Sequence, residues 1–561
     1  MHSRSRGIST IVIAAIIIVI IVIAGIGVYI YQSQLPRIKE TLIMGTTDSV
    51  ESVLDPVQAY DFFGFEIIQA TGCGLVDLAP GTPNGASVQD IIPSLATDWS
   101  SSDDGLTWTF NLRQGVKYSD GTEFNATHVK YTFDRGIGIA HPDGAWVGIG
   151  LVNTEAPSSA IINRTEVTGK YQVKFHLNFP FAPFLSVMAC QVAFIVNPTY
   201  APVDAPVNYT ANDARASSPM DLGPYNLTKW TRTAGKDQEM RLSANPNYWD
   251  AGSGLPKTKN ITIKFYSDAT ALGLAIASGE IDVAFRQLRA SDITEFQDNP
   301  DVTVWKGTGA FIQYLVFQHE IAPFDNPKVR RAVAAAVNRT AITKTIFYDQ
   351  AQPLYSMIPI GMAGHADAFK KLGDANYTFT KNTLNDATIQ GGPYTTSHKL
   401  GVDLWYENSG HYPQSADLAV VLEESLEESG VIDVTLHGLD WPAYRAKRNE
   451  ETMPVYIYGW YPDYVDTDDY VYPFLDSSGG SWLHLNYANP QMDKLIGWAR
   501  GNTTATARNN LYSQIQDLMV TDSPMVSLYQ GGAYAVTKTN VKGVYLDISQ
   551  NWRHWLVYAE E

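Results

Sequence analysis

Two stretches far apart in the chain repeat one pattern: a short strand-like run, a helix-like run, then another strand-like run. In the first, Ile261–Tyr266 reads as a strand, Asp268 caps a helix that stops at Gly279, and Ile281–Phe285 reads as the next strand. In the second, the strand Leu400–Tyr406 leads into a helix with Leu418, Val421, Leu422 and Leu426 on spaced positions, closed by Gly430. The strand Val431–Leu436, a short helix around Tyr444 and the strand Val455–Tyr458 come next. Such alternation predicts an α/β fold with a largely parallel sheet, because parallel neighbours need a crossover that a helix supplies. Ligands of these sheets sit beyond the carboxyl ends of the strands, which directs attention to the residues just after Tyr458.

Those residues belong to YIYGWYPDYVDTDDYVYPFL, residues 456–475, where Trp460, Tyr461, Tyr464, Tyr470 and Tyr472 interleave with Asp463, Asp466, Asp468 and Asp469. Rings offer broad rigid contact and a carboxylate fixes a cation or a set of donors, so the mixture suits an amphipathic solute. The alternative is a solvated acidic loop over packed tyrosines.

At 561 residues the chain exceeds one core and implies three to four domains. Its net charge of −18 argues against nucleic acid, which calls for clustered Lys and Arg. Cys73 and Cys190 are the only cysteines, too few for a zinc ligand set or a disulfide framework; they are expected as two buried free thiols, with one bridge as the alternative. The eleven histidines lack HxH or HxxxH spacing, so no metal site is expected.

Ile11–Ile30 is twenty apolar residues without a charge, enough at about 1.5 Å per residue to cross a bilayer core of about 30 Å. Arg4 and Arg6 precede it, which places residues 1–10 inside the cell and everything after about residue 32 outside. No small-x-small cleavage site ends it, so residues 11–31 are read as a retained anchor. The start, SRSRGISTIVIAA, also resembles archaeal pilin-type signals, which are cut before the apolar run, here after Gly7. Sequons at Asn125, Asn163, Asn208, Asn226, Asn260, Asn338, Asn376 and Asn502 suit an exterior location.

Residues 96–135, ATDWSSSDDGLTWTFNLRQGVKYSDGTEFNATHVKYTFDR, contain the turn dipeptides Asp104-Gly105 and Asp120-Gly121, a strand Thr107–Leu112 between them, and a helix capped by Asn125. Trp99, Asp104, Gly105, Thr109, Phe110, Leu112, Arg113, Gly115, Val116, Lys117, Asp120, Gly121 and Ala126 fall in step with the signature of the family 5 solute-binding proteins of ABC importers, the oligopeptide and dipeptide binders. LGPYNLTKW at 222–230, NPNYW at 245–249, SGEIDVAF at 278–285, IQYLVFQ from Ile312 and PFDNPKVRRAVAAAVNR at 323–339 resemble further landmarks of that family.

The resemblance implies a periplasmic-binding-protein-like fold of type II (cluster C), two lobes that close by a hinge plus an extra domain, preceded here by the transmembrane helix. It implies a linker at 32–40, lobe I from 41–85, 205–305 and 525–561, the extra domain at 86–204, and lobe III at 306–524. Asn326-Pro327 with Asp325 opens a helix whose Arg330 and Arg331 are expected at the surface or on a domain face.

In the peptide binders an aspartate in a G-W-x-x-D motif receives the ligand's amino terminus; GWYPD puts Asp463 there, with Gly459 and Trp460 matching. Tyr461, Tyr464, His411 and Tyr314 complete the candidate ligand-binding set. Ile457 replaces an arginine that some relatives use toward the ligand carboxylate, and Gly410 or His411 stands where dipeptide binders carry another. The resemblance therefore implies a non-enzymatic, monomeric subunit that delivers peptides to an ABC permease and its ATPase, without cofactor. An oligosaccharide ligand stacked on aromatics is the alternative. A secreted hydrolase using two of Asp463, Asp466, Asp468 and Asp469 as acid and base is the alternative of another class.

Overall fold

The computed structural model describes residues 37–81, 91–139, 144–152, 160–412, 414–477, 482–546, 548–549 and 551–561. The anchor expected at 11–31 lies outside the described residues, among which no helix is long and apolar enough to cross a membrane.

Two mixed sheets carry the two lobes. In the first, of seven strands, β1 (Thr41–Thr46) lies at the centre between two parallel neighbours, β2 (Asn260–Phe265) and β3 (Val283–Ala284). The helix Ala269–Ala277 links β2 to β3, with Asp268 Oδ1 accepting from Ala271 N at 2.9 Å as its cap. In the second, of six strands, β4 (Leu400–Glu407) lies between parallel β5 (Ile432–Leu439) and β6 (Val455–Trp460), joined by the helix Ser415–Glu427 and by α1 (Trp441–Asn449).

The expected largely parallel sheet is thus corrected to two mixed ones. Outward from these parallel trios every pairing is antiparallel, including the hairpin Tyr225–Thr233 with Lys236–Ala244 and the pairs of Ile312–Phe317 with β6 and with Met525–Gly531. A short turn can make only an antiparallel return, and strand–helix alternation is silent about such returns. Ile312–Phe317 and β6 are buried along their whole lengths, as expected for strands covered on both faces.

The third unit is an antiparallel sheet in the order Ala96–Ser101, Thr107–Leu112, Gln172–Leu177, Ile162–Gly169, with its own apolar core around Phe110, Phe175 and Phe184. Buried Arg135 ties it to the first lobe by donating from both terminal nitrogens to Asp55, at 3.0 and 2.6 Å.

The chain passes between the lobes twice, at 307–312 and at 531–533. The return comes after Gly531 rather than at 525, because Met525–Gly531 still pairs with Ile312–Phe317 while Ala533–Lys538 pairs with β3 and Val302–Gly307. The two crossings pack so closely that a Cβ on Gly309 would fall 2.4 Å from Gly531 O. Arg330, expected at the surface or on a domain face, is buried within its lobe: it donates to the carbonyls of Phe324, Asp522 and Ser523 and so ties off the end of the helix Ala505–Asp522. Cys73 and Cys190 are both buried and free.

Candidate ligand-binding cleft

A cavity of about 1140 Å³ opens between the lobes. Nearly all its lining comes from segments that leave the carboxyl ends of the six parallel strands. Residues 47–65 come after β1, 267–269 after β2 and 286–289 after β3; 409–414 come after β4, 441–449 after β5, and 459–463 span the end of β6 and its continuation. The carboxyl edges of two sheets face each other there, the position where ligands of such folds sit.

Five of the seven candidate residues line the cavity: Gly459, Trp460, Tyr461, Asp463 and His411. Tyr464 and Tyr314 do not. Tyr464 turns into the core of the third unit and donates to Asp468 Oδ2 at 2.9 Å, while Tyr314 is buried within its strand against Phe474.

Gly459 is required sterically, since a Cβ there would sit 2.7 Å from carbons of both Phe311 and Tyr412. Trp460 is only 5% exposed; its indole N–H donates to Asp469 Oδ2 at 3.1 Å and its ring meets Phe474 edge-on. Tyr461 stacks on Phe311 at 4.3 Å between ring centres. Asp463 is half-buried. It accepts from the Tyr60 hydroxyl of the opposite lobe at 3.1 Å, and its backbone N–H donates to Asp469 Oδ2 at 3.0 Å. Burial, then the charge of Asp463, push the Asp469 carboxyl well above the usual range.

Of the four aspartates in the 456–475 stretch, only Asp463 lines the cavity. Asp466 pairs with Arg508 at 2.6 and 3.0 Å, and Asp468 with Arg500 at 3.2 Å, both beneath the surface. An acid and base drawn from this loop would need two carboxylates facing one substrate, so the hydrolase reading loses its pair.

His411 lies flat on Trp441, with 3.6 Å between centres and 9° between planes. Burial, then the charges of Arg286 and Arg445, lower its pKa to about 3, so the imidazole is neutral. Its Nδ1 lies 3.9 Å from Glu51 Oε1 across the cleft.

Much of the wall lies outside the candidate set read from the sequence. Tyr60, Asp61, Phe62 and Phe65 stand at the start of the helix Phe62–Thr71; Arg286 stands after β3; Trp441, Arg445 and Arg448 stand on α1. Arg286 pairs with Asp48 at 2.5 Å and lies 3.7 Å over the Phe62 ring. Asp61 caps its helix, accepting from Gly64 N at 2.6 Å, and burial raises its pKa to about 7. A signal for these segments exists in the sequence: the strand-end rule that selects 459–463 selects them too when applied to every parallel strand.

The family model described as bacterial extracellular solute-binding proteins, family 5, matches residues 90–482. A protein named di/tripeptide-binding protein 2 from Pseudomonas aeruginosa is 28% identical over 481 residues, spanning 83% of this chain and 85% of its own length. Two solved structures share the architecture. The ABC transporter-associated binding protein DppA of Helicobacter pylori, in complex with the peptide STSA, is 25% identical with a TM-score of 0.76, over 94% of this chain and 99% of its own. AgaA from A. tumefaciens R10, in complex with agropinic acid, is 25% identical with a TM-score of 0.74, over 93% of this chain and 99% of its own. A match over most of the chain, on a two-lobed fold whose cavity lies where the strand ends meet, makes this protein a member of the family 5 extracellular solute-binding proteins.

Proposed function

We propose that this chain captures peptides between its lobes outside the cell, as a monomer anchored by residues 11–31, and hands them to an ABC permease and its ATPase. Asp463 receives the ligand's amino terminus. The observation that carries this reading is the half-buried Asp463 carboxylate in the wall of an aromatic cavity, held there by its own backbone N–H to Asp469 and faced by a neutral phenol from the other lobe. A carboxylate enclosed by closing lobes is costly unless a cation meets it, and an ammonium does so. Tyr60, Phe62, Tyr412, Trp441, Tyr461 and Trp482 supply side-chain contact that tolerates varied residues. Closure is driven by the ligand's better fit to the closed arrangement. The anchor rests on the uncharged run Ile11–Ile30. Similarity to the di/tripeptide-binding relative and to the STSA-bound structure also supports a peptide ligand.

Native mass spectrometry of the full-length protein purified from its own host tests this reading. Bound masses that fit sums of amino-acid residues are expected. Hexose-spaced masses would replace it with the oligosaccharide reading, in which the aromatic walls become the binding surface.

A further inference from the structure

We infer that Tyr464 is a plug by which the six-stranded lobe docks onto the third unit, so that the third unit latches the closed arrangement and positions Asp463 from behind. The third unit belongs with the seven-stranded lobe. Arg135 ties it to Asp55, and its apolar core runs on without a break into Phe65, Ile68 and Leu75 of that lobe. Among the described residues of this shared core, Tyr464 is the single contribution from the six-stranded lobe, and it is 3% exposed. Neighbouring residues thus serve two sites: the Asp463 carboxylate lies in the cavity wall, and the Tyr464 ring lies in the third unit. Seating the ring fixes the backbone one residue from the carboxylate.

A second contact joins the same two bodies. The Ala182 N–H of the third unit donates to Arg500 O at 2.7 Å, at the end of the helix Pro490–Gly501 in the six-stranded lobe. The Arg500 guanidinium lies 5.1 Å from the ring centre of Phe181, a buried residue of the third unit, and 3.4 Å from that of Tyr472. Cys190 of the third unit, whose thiol pKa is raised chiefly by burial, also feels the charges of Asp463 and Asp469, which places their loop against it. The polar groups of the plug keep partners inside their own lobe: the Tyr464 hydroxyl donates to Asp468 at 2.9 Å, and Arg500 pairs with the same carboxylate at 3.2 Å. Parting the two bodies therefore uncovers the Tyr464 ring and breaks the Ala182 bond, while no charge loses its counter-ion. Apolar burial holds the latch, and it favours the closed arrangement whether or not a ligand fills the cleft. A ligand then has less of the closing free energy to supply. Gly144 is the one described residue of the third unit in the cavity lining, so the influence of this unit on a ligand runs through closure rather than contact.

The test is hydrogen–deuterium exchange of the full-length protein, read at Ala182. Pro180 and Pro183 carry no amide hydrogen, so the signal of residues 180–183 comes from Phe181 and Ala182 alone. In the wild type Ala182 should exchange at least about a hundredfold more slowly than in an unstructured peptide of the same sequence. Tyr464→Ala should speed it at least about tenfold, and Tyr464→Phe, which keeps the ring, should match the wild type. Amides of the strands Thr107–Leu112 and Gln172–Leu177, bonded within the third unit, should stay as slow in both variants as in the wild type. An Ala182 rate near that of the unstructured peptide in the wild type overturns the latch, and so does an unchanged rate in Tyr464→Ala. Strands that loosen together with Ala182 also overturn it, because Tyr464 would then be an ordinary core residue of the third unit. Where Tyr464→Ala does not fold, the wild-type rate at Ala182 decides by itself. No outcome depends on the ligand, so this inference and the peptide reading stand or fall separately.

Discussion

The Tyr60 phenol donates to Asp463 Oδ2 at 3.1 Å across the cleft, so a residue just before the first helix of one lobe meets the carboxylate at the end of the last parallel strand of the other. The contact exists only while the lobes are together, and it puts a neutral donor where a ligand ammonium would supply a charged one. The phenol pKa is pushed well above its usual value, by burial first and then by Asp463, so Tyr60 remains a donor at any physiological pH.

Replacing Asp463 with Asn keeps shape and removes charge. Peptides with a free amino terminus should then bind at least about tenfold more weakly, while N-acetylated peptides should be little affected. Titration of both peptide forms against wild type and variant checks this, and equal losses for the two forms would exclude Asp463 as the ammonium partner.

Trp460 is a packing residue whose edge reaches the cavity. With 5% exposure and a hydrogen bond to Asp469, Trp460→Ala should cost about 3–5 kcal/mol of stability, visible in urea unfolding, beyond any effect on affinity. A variant with unchanged stability and lost binding would instead make the indole mainly a ligand contact.

Asp466 and Arg508 form a two-bond pair beneath the loop. Asp466→Asn should destabilise by about 2–4 kcal/mol, because it leaves a largely enclosed guanidinium without its anion. The folded fraction should bind ligand normally, since the pair faces away from the cavity; thermal melts combined with calorimetry on the folded protein separate the two effects.

Asp61 makes stability depend on pH. In the folded chain its carboxyl keeps a proton up to about pH 7, whereas in an unfolded chain an aspartate releases it near about pH 3.9. Between those values the native state binds the extra proton, so this contribution is complete below the lower value and fades as pH rises through the upper one. Asp61→Asn keeps an acceptor for Gly64 N without titrating. The stability of the wild type relative to this variant should therefore fall by a few kcal/mol across the window, read from denaturant unfolding at several pH values. A constant difference would mean that the carboxyl titrates normally.

The sequence by itself determined the α/β class, the strand 107–112, the helix cap at Asp268 and the helix opening at 325–327, because each depends on periodicity and punctuation within a few residues. It also pointed to 459–463, since a glycine, rings and an aspartate at a strand end are a local signal. Pairing direction in the outer strands, the point of return after Gly531 and the burial of Arg330 were decided by partners far away in the chain. Four aspartates in one loop look equivalent in sequence. The tertiary structure separated them by supplying Arg508 and Arg500 to two, by burying Asp469 beneath the indole of Trp460, and by leaving Asp463 in the cavity wall. The far wall, with Tyr60 and Arg286, becomes part of the site only when two sheets bring their carboxyl ends together, a long-range arrangement that no local spacing of residues encodes.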